Sequence, residues 1–149
     1  MIGIKINQAK GMFFDAPKVM RSVDAATRKV LSKFGAYVRT AARSSIRKRK
    51  KASAEGSPPS SHTGLLKKFI YFGYDASQQS VVIGPAKLNT STGAPEILEY
   101  GGTATISQRI KPGKYKKKKV AISARPFMHP ALKQEQPKLP AMWQDSVKP

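Results

Sequence analysis

Glu96 and Glu99 stand three residues apart in the stretch APEILEYGG (94–102), close enough to meet on one helical turn. Such a carboxylate pair can do general acid–base work when burial or mutual repulsion lifts one of the two pKa values. Spacing alone supplies neither condition, and a solvated or intersubunit contact is the plainer reading. The remaining acids, Asp15, Asp24, Glu55, Asp75, Glu135 and Asp145, offer no better pair. His62 and His129 have no second ligand at a metal-binding spacing such as HxxxH. Serines are plentiful without a GxSxG elbow, and Gly101-Gly102 runs into Thr103 with no lysine in P-loop register. The residues therefore point away from an enzyme, and no cofactor, metal or small-molecule substrate is expected.

Positive charge is the chemistry the chain does offer. Lys and Arg number 28 against 8 Asp and Glu, a formal charge of +20, which attracts polyanions: nucleic acid, anionic lipid or an acidic protein face. Two runs concentrate it. The first is Arg47, Lys48, Arg49, Lys50 and Lys51, followed by the small, proline-broken ASAEGSPPSSHTG. The second is KPGKYKKKKV, in which Lys116, Lys117, Lys118 and Lys119 follow Tyr115. An aromatic among lysines is how sequence-tolerant single-strand binders stack bases, yet lysines also keep sheet edges from adhering to one another. No RNP motif, KH loop or helix-turn-helix pattern sharpens the nucleic-acid reading.

The elements that must position these residues follow from periodicity. MIGIKINQ alternates apolar and polar side chains, the pattern of a short strand rather than of a signal peptide. Asp15-Ala-Pro then caps a helix. Val19, Val23, Ala26, Val30, Phe34, Tyr37/Val38 and Ala41 recur every three or four residues, predicting one amphipathic helix over about 16–48. Its polar face carries Arg21, Arg28, Lys29, Lys33, Arg39 and Arg43, with the basic run as its end, and a mobile loop is expected at about 47–63. LLKKFIYFGY (65–74) and QQSVVIGP (78–85) read as one hairpin. TATISQRI (103–110) and KKVAISA (118–124) read as a second, joined by the lysine-rich segment. A proline-punctuated helical stretch closes the chain. At 149 residues and 40% hydrophobic content, this is one α+β domain over 1–149: a long N-terminal amphipathic helix packed on an antiparallel sheet, with a C-terminal helix. No stretch approaches the ~18 consecutive apolar residues of a membrane helix. The absence of cysteine removes disulfides and fits synthesis inside a cell.

Three stretches in order, SPPSSHTGLLKKFI, APEILEYGGT and ARPFMHPAL, lie behind that basic helix. Together they resemble the head–tail joining or tail-completion (neck, minor tail) proteins of long-tailed bacteriophages, over about residues 16–135. The resemblance implies a non-enzymatic virion protein at the top of the tail, made in the bacterial cytoplasm. It implies a homo-oligomeric ring, six copies being the family expectation, around the channel the genome passes. Its neighbours would be a head-completion or connector protein and a tail terminator or tail tube protein, with genome DNA in the channel as a further contact. Arg47 to Lys51, Glu96, Glu99, Tyr100 and Lys116 to Lys119 are then candidate assembly residues. Gly64, Gly101, Gly102, Pro126 and Phe127 are candidate fold-specifying ones: turns, a strand restart, and a buried ring whose direction the proline sets. Two other readings stand beside this one: a different neck or tail ring component, such as a tail terminator or head-completion protein, and a basic nucleic-acid-binding protein without catalysis.

One stability prediction follows. Phe127→Ala should cost about 3–5 kcal/mol if the ring is a core anchor, read as a lowered midpoint in denaturant unfolding; an unchanged midpoint would place the ring outside the core.

Overall fold

The computed structural model describes residues 15–86 and 93–147. The strand expected over 1–8 lies outside them. Helix α1 spans Ala16–Ser45. The Asp15 carboxylate accepts from the Lys18 amide at 3.1 Å, and Pro17 sits in the first turn, so the cap is the one the sequence announces. The buried stripe is a four-residue row: Ala26, Val30, Phe34, Val38, Ala42, continued by Ile46 just beyond the helix. Val19 and Val23, expected in the same stripe, are exposed, so the first turns of α1 extend past the core.

The helix stops three residues short of the expected end. Ser44 and Ser45 donate their hydroxyls back to the Ala41 and Ala42 carbonyls, and such bonds compete with the regular helix ladder. Ile46 then turns to extended backbone and is fully buried. Burying that side chain outweighs another helical turn. The run Arg47 to Lys51 is accordingly not a helix end but the start of the following connection, and Arg43 is the basic residue in the last turn.

Beyond the connection, Gly64 adopts φ 81° and starts a single helical turn, α2 (Leu65–Lys68). Leu65–Lys68 are therefore helical rather than the start of the strand that their composition predicts. Leu66 packs on the core here, and tertiary contact overrides the β-rich composition. Strands β1 (Ile70–Asp75) and β2 (Ser80–Pro85) form the expected antiparallel hairpin, Ile70 facing Pro85 and Asp75 facing Ser80. Asp75 closes its turn by accepting from the Ser77 hydroxyl and from the Ser77 and Gln78 amides. Those bonds, the Ser77 hydroxyl's first, hold its carboxyl below the ordinary aspartate range.

Helix α3 (Ala94–Tyr100) leads through Gly101 into β3 (Gly102–Lys111), which pairs antiparallel with β4 (Lys114–Ile122). Helix α4 (Met128–Glu135), a 3₁₀ turn (Gln136–Lys138) and α5 (Leu139–Trp143) end the described chain. The fold is α+β with two separate two-stranded sheets. α1 is the spine, with β1–β2 and α4 packed against it. The core is Phe34, Val38, Ala42, Ile46, Ile70, Phe127 and Ala131. Among the described residues no helix is long and apolar enough to cross a membrane.

One close approach sets the helix-to-sheet distance. A Cβ built on Gly35 would lie 2.7 Å from a Val81 methyl and 2.9 Å from the Phe72 ring. Gly35→Ala should therefore destabilise by about 1–3 kcal/mol through overpacking, although alanine is the better helix former by about 1 kcal/mol. Chemical denaturation measures the sum, and a stabilised variant would mean that helix and hairpin separate without strain.

Candidate interaction surfaces

The candidate residues divide into those used inside the chain and those left outside. Glu99 belongs to the first group. Its two carboxylate oxygens accept three backbone N–H groups: Phe127 at 2.9 Å, Met128 at 3.0 Å and His129 at 2.8 Å. These amides open α4, whose own N-terminal residues supply no side-chain cap. Helix-start amides are unsatisfied donors at the positive end of the helix dipole, and a carboxylate is the strongest acceptor they can meet. The sequence reading placed Glu99 with Glu96 as a surface pair. Instead, Glu99 is part-buried and occupied by α4, while Glu96 is exposed on α3. No signal in the sequence announces this cap, because its partners lie 28 to 30 residues away rather than at capping-box spacing.

The glycines and Phe127 serve that junction. Gly101 ends α3 at φ 77°, where a Cβ would come within 3.1 Å of the Ala124 backbone nitrogen. Gly102 follows as the first residue of β3. Pro126 precedes Phe127, whose ring is fully buried in the core beside Ile46 and Ile70.

Arg47 to Lys51 are exposed, yet the connection they open is fastened to the fold. The Ser61 amide donates to the Arg47 carbonyl at 3.0 Å, and Arg49 Nε donates to Ser60 Oγ at 2.8 Å. Pro59 is fully buried, and Ser53 and Ser61 are nearly so. Across the junction, the Gly56 amide donates to the Ala124 carbonyl at 2.9 Å, and Arg125 Nε donates to the Ser53 carbonyl at 3.1 Å. The segment expected as a mobile loop has no regular structure but is pinned at both ends and in its middle.

Two arginines that composition assigned no structural role are fasteners. Arg125 makes the contact just described. Arg39, read from periodicity as part of the solvated face of α1, donates Nε to the Ile70 carbonyl at 2.8 Å and lies over the Tyr71 ring. Asp24 on the same face accepts from the Gln79 side chain at 2.9 Å, tying the β1–β2 turn to α1.

Left outside are Tyr100, Glu96 and the second basic run. Tyr100 is 78% exposed, at the rim of a cleft of about 320 Å³ between α1, β2 and α4, floored by Phe34, Val38 and Ile83. Lys118 and Lys119 lie in β4 as expected, and the strand begins earlier, at Lys114, so that Lys116 and Lys117 belong to it too rather than to the connection. The turn is only Pro112-Gly113, with Gly113 at φ 79°, the signature of a tight turn that needs glycine in second place. All residues from 105 to 119 are exposed, so β3–β4 stands out from the body as a two-stranded arm. Among the described residues, no three His, Cys, Asp or Glu side chains gather closely enough to hold a metal ion.

No family model matches the chain, and no curated protein and no solved structure is similar to it.

Glu99→Ala should lower stability by about 1.5–3 kcal/mol, the range for hydrogen bonds to a charged group. Glu99→Gln keeps one acceptor oxygen and should fall between the alanine variant and the parent. Urea unfolding measures both; an alanine variant as stable as the parent would mean that solvent caps α4 equally well.

Proposed function

We propose that this chain is a structural protein of the neck of a long-tailed bacteriophage, one copy of a ring that joins the tail to the head connector around the DNA channel. One observation carries the reading. The three stretches that resemble the tail-completion family are far apart in sequence. The second and third are hydrogen-bonded to each other, and Ile70, the last residue of the first, shares the core with Phe127 of the third. Glu99 of the second holds Phe127 to His129 of the third. The Leu98 carbonyl of the second accepts from the Arg125 amide at 2.7 Å, and Arg125 reaches the connection that leads into the first. Each stretch alone is weak. Their convergence supports treating them as a single fold signature rather than three coincidences.

The role that fits such a junction is assembly. Its polar residues satisfy backbone groups and orient elements, and its exposed fringe (Tyr100, Glu96 and the open cleft) offers a mixed apolar and polar rim of the kind interfaces use. The same features suit a tail terminator or head-completion protein in the same ring stack. The net charge and the exposed lysine arm favour the second reading, a basic nucleic-acid-binding protein without catalysis.

Electron microscopy of lysates in which a nonsense codon blocks this gene separates the two. Full heads beside unjoined or overlong tails are the expected result. Normal infectious particles would overturn the neck reading and leave the nucleic-acid one.

A further inference from the structure

The β3–β4 arm carries seven cations between Gly102 and Ile122 and no acid: Arg109, Lys111, Lys114 and Lys116 to Lys119. Strand geometry distributes them in a definite way. Successive side chains alternate between faces and same-face neighbours stand about 6.8 Å apart. Lys117 and Lys119 therefore share one face with Ser107, Thr105 and Arg109, opposite which Tyr115 lies. Lys116 and Lys118 share the other with Gln108 and Ile106. Both faces are cationic and both are exposed.

We propose that this arm is a β-ribbon that binds double-stranded DNA through its phosphates, lying in the major groove. The distribution of charge selects this occupant over an acidic protein. A protein face covers one side of a ribbon, leaving the lysines of the other uncompensated. A duplex groove presents two lines of phosphates flanking the ribbon's edges, within reach of long lysine side chains from either face. The B-DNA major groove, about 12 Å wide, admits a two-stranded ribbon, whereas the deep, narrow major groove of A-form RNA does not. Ser107, Thr105 and Gln108 add donors that can reach phosphate or base edges without imposing one sequence. Protecting a sheet edge accounts for a lysine or two; it does not account for four in succession covering both faces. The inference rests on the arm alone and holds whether or not the chain is a neck protein.

The test uses the full chain, a fluorescent DNA duplex of arbitrary sequence, the matching RNA duplex and a poly-glutamate peptide, with binding read by anisotropy over a salt series. The variant K116Q/K117Q/K118Q/K119Q should melt as the parent does, since all four side chains are exposed. It should bind DNA more weakly, with the slope of log K against log salt reduced by about 2–4, since each phosphate contact contributes about 0.9. A control replacing Arg47 to Lys51 by glutamine should change the slope less. Three results would overturn the proposal: an unchanged slope in the arm variant, equal loss of poly-glutamate and DNA binding, or RNA duplex bound as tightly as DNA.

Discussion

The grip of the Glu99 carboxylate on three amides is the interaction on which the arrangement of this molecule turns. It fixes where α4 begins, and through that it places Phe127 in the core and Ala131 against α1. A helix of eight residues has little stability of its own. Tied at its first turn by a charged acceptor and buried along one side, it becomes part of the wall that closes the core. Gly101 follows α3 directly and leads into β3, so the point at which the lysine arm leaves the body is set by the element that caps α4. One carboxylate thus couples the core to the most charged part of the chain.

The charge of +20 shapes the rest. Self-repulsion opposes compaction, and the fold answers it by separation. The core is a narrow stripe along α1, and the cations of the two basic runs are exposed. Arg39 and Arg125 satisfy carbonyls of neighbouring segments, which fits guanidinium better than ammonium, since its planar fork of donors is preorganised. The lysines, compact and strongly hydrated, are left for β4 and the connection after Ile46. Arg39, Arg49 and Arg125 fasten segments of the fold, while the lysines of β4 are exposed.

That division also bears on the connection between α1 and α2. Its exposed basic run and its buried Pro59 lie in one segment, so the run is anchored to the packed fold. The Ser53–Arg125 and Gly56–Ala124 hydrogen bonds tie the same segment to the residues that follow β4. The two basic regions are thus joined by a short chain of hydrogen bonds rather than by a flexible tether.

Local pattern was enough for what depends on near neighbours. The Asp15 cap, the four-residue apolar row of α1, the Asp75 turn and the two hairpins arise from residues a few positions apart, where periodicity and turn chemistry act without help. The buried ring of Phe127 was legible too, from its type and its place after a proline. Tertiary structure chiefly decided the end of α1 at Ser45, because Ile46 is buried in the core. It turned Leu65–Lys68 into a helical turn, made Gly35 a contact point, and made Glu99 a helix cap instead of half of a surface pair. In each case the deciding partner lies tens of residues away, and the free energy of satisfying a buried group at that distance leaves no trace in the spacing of the residues around it.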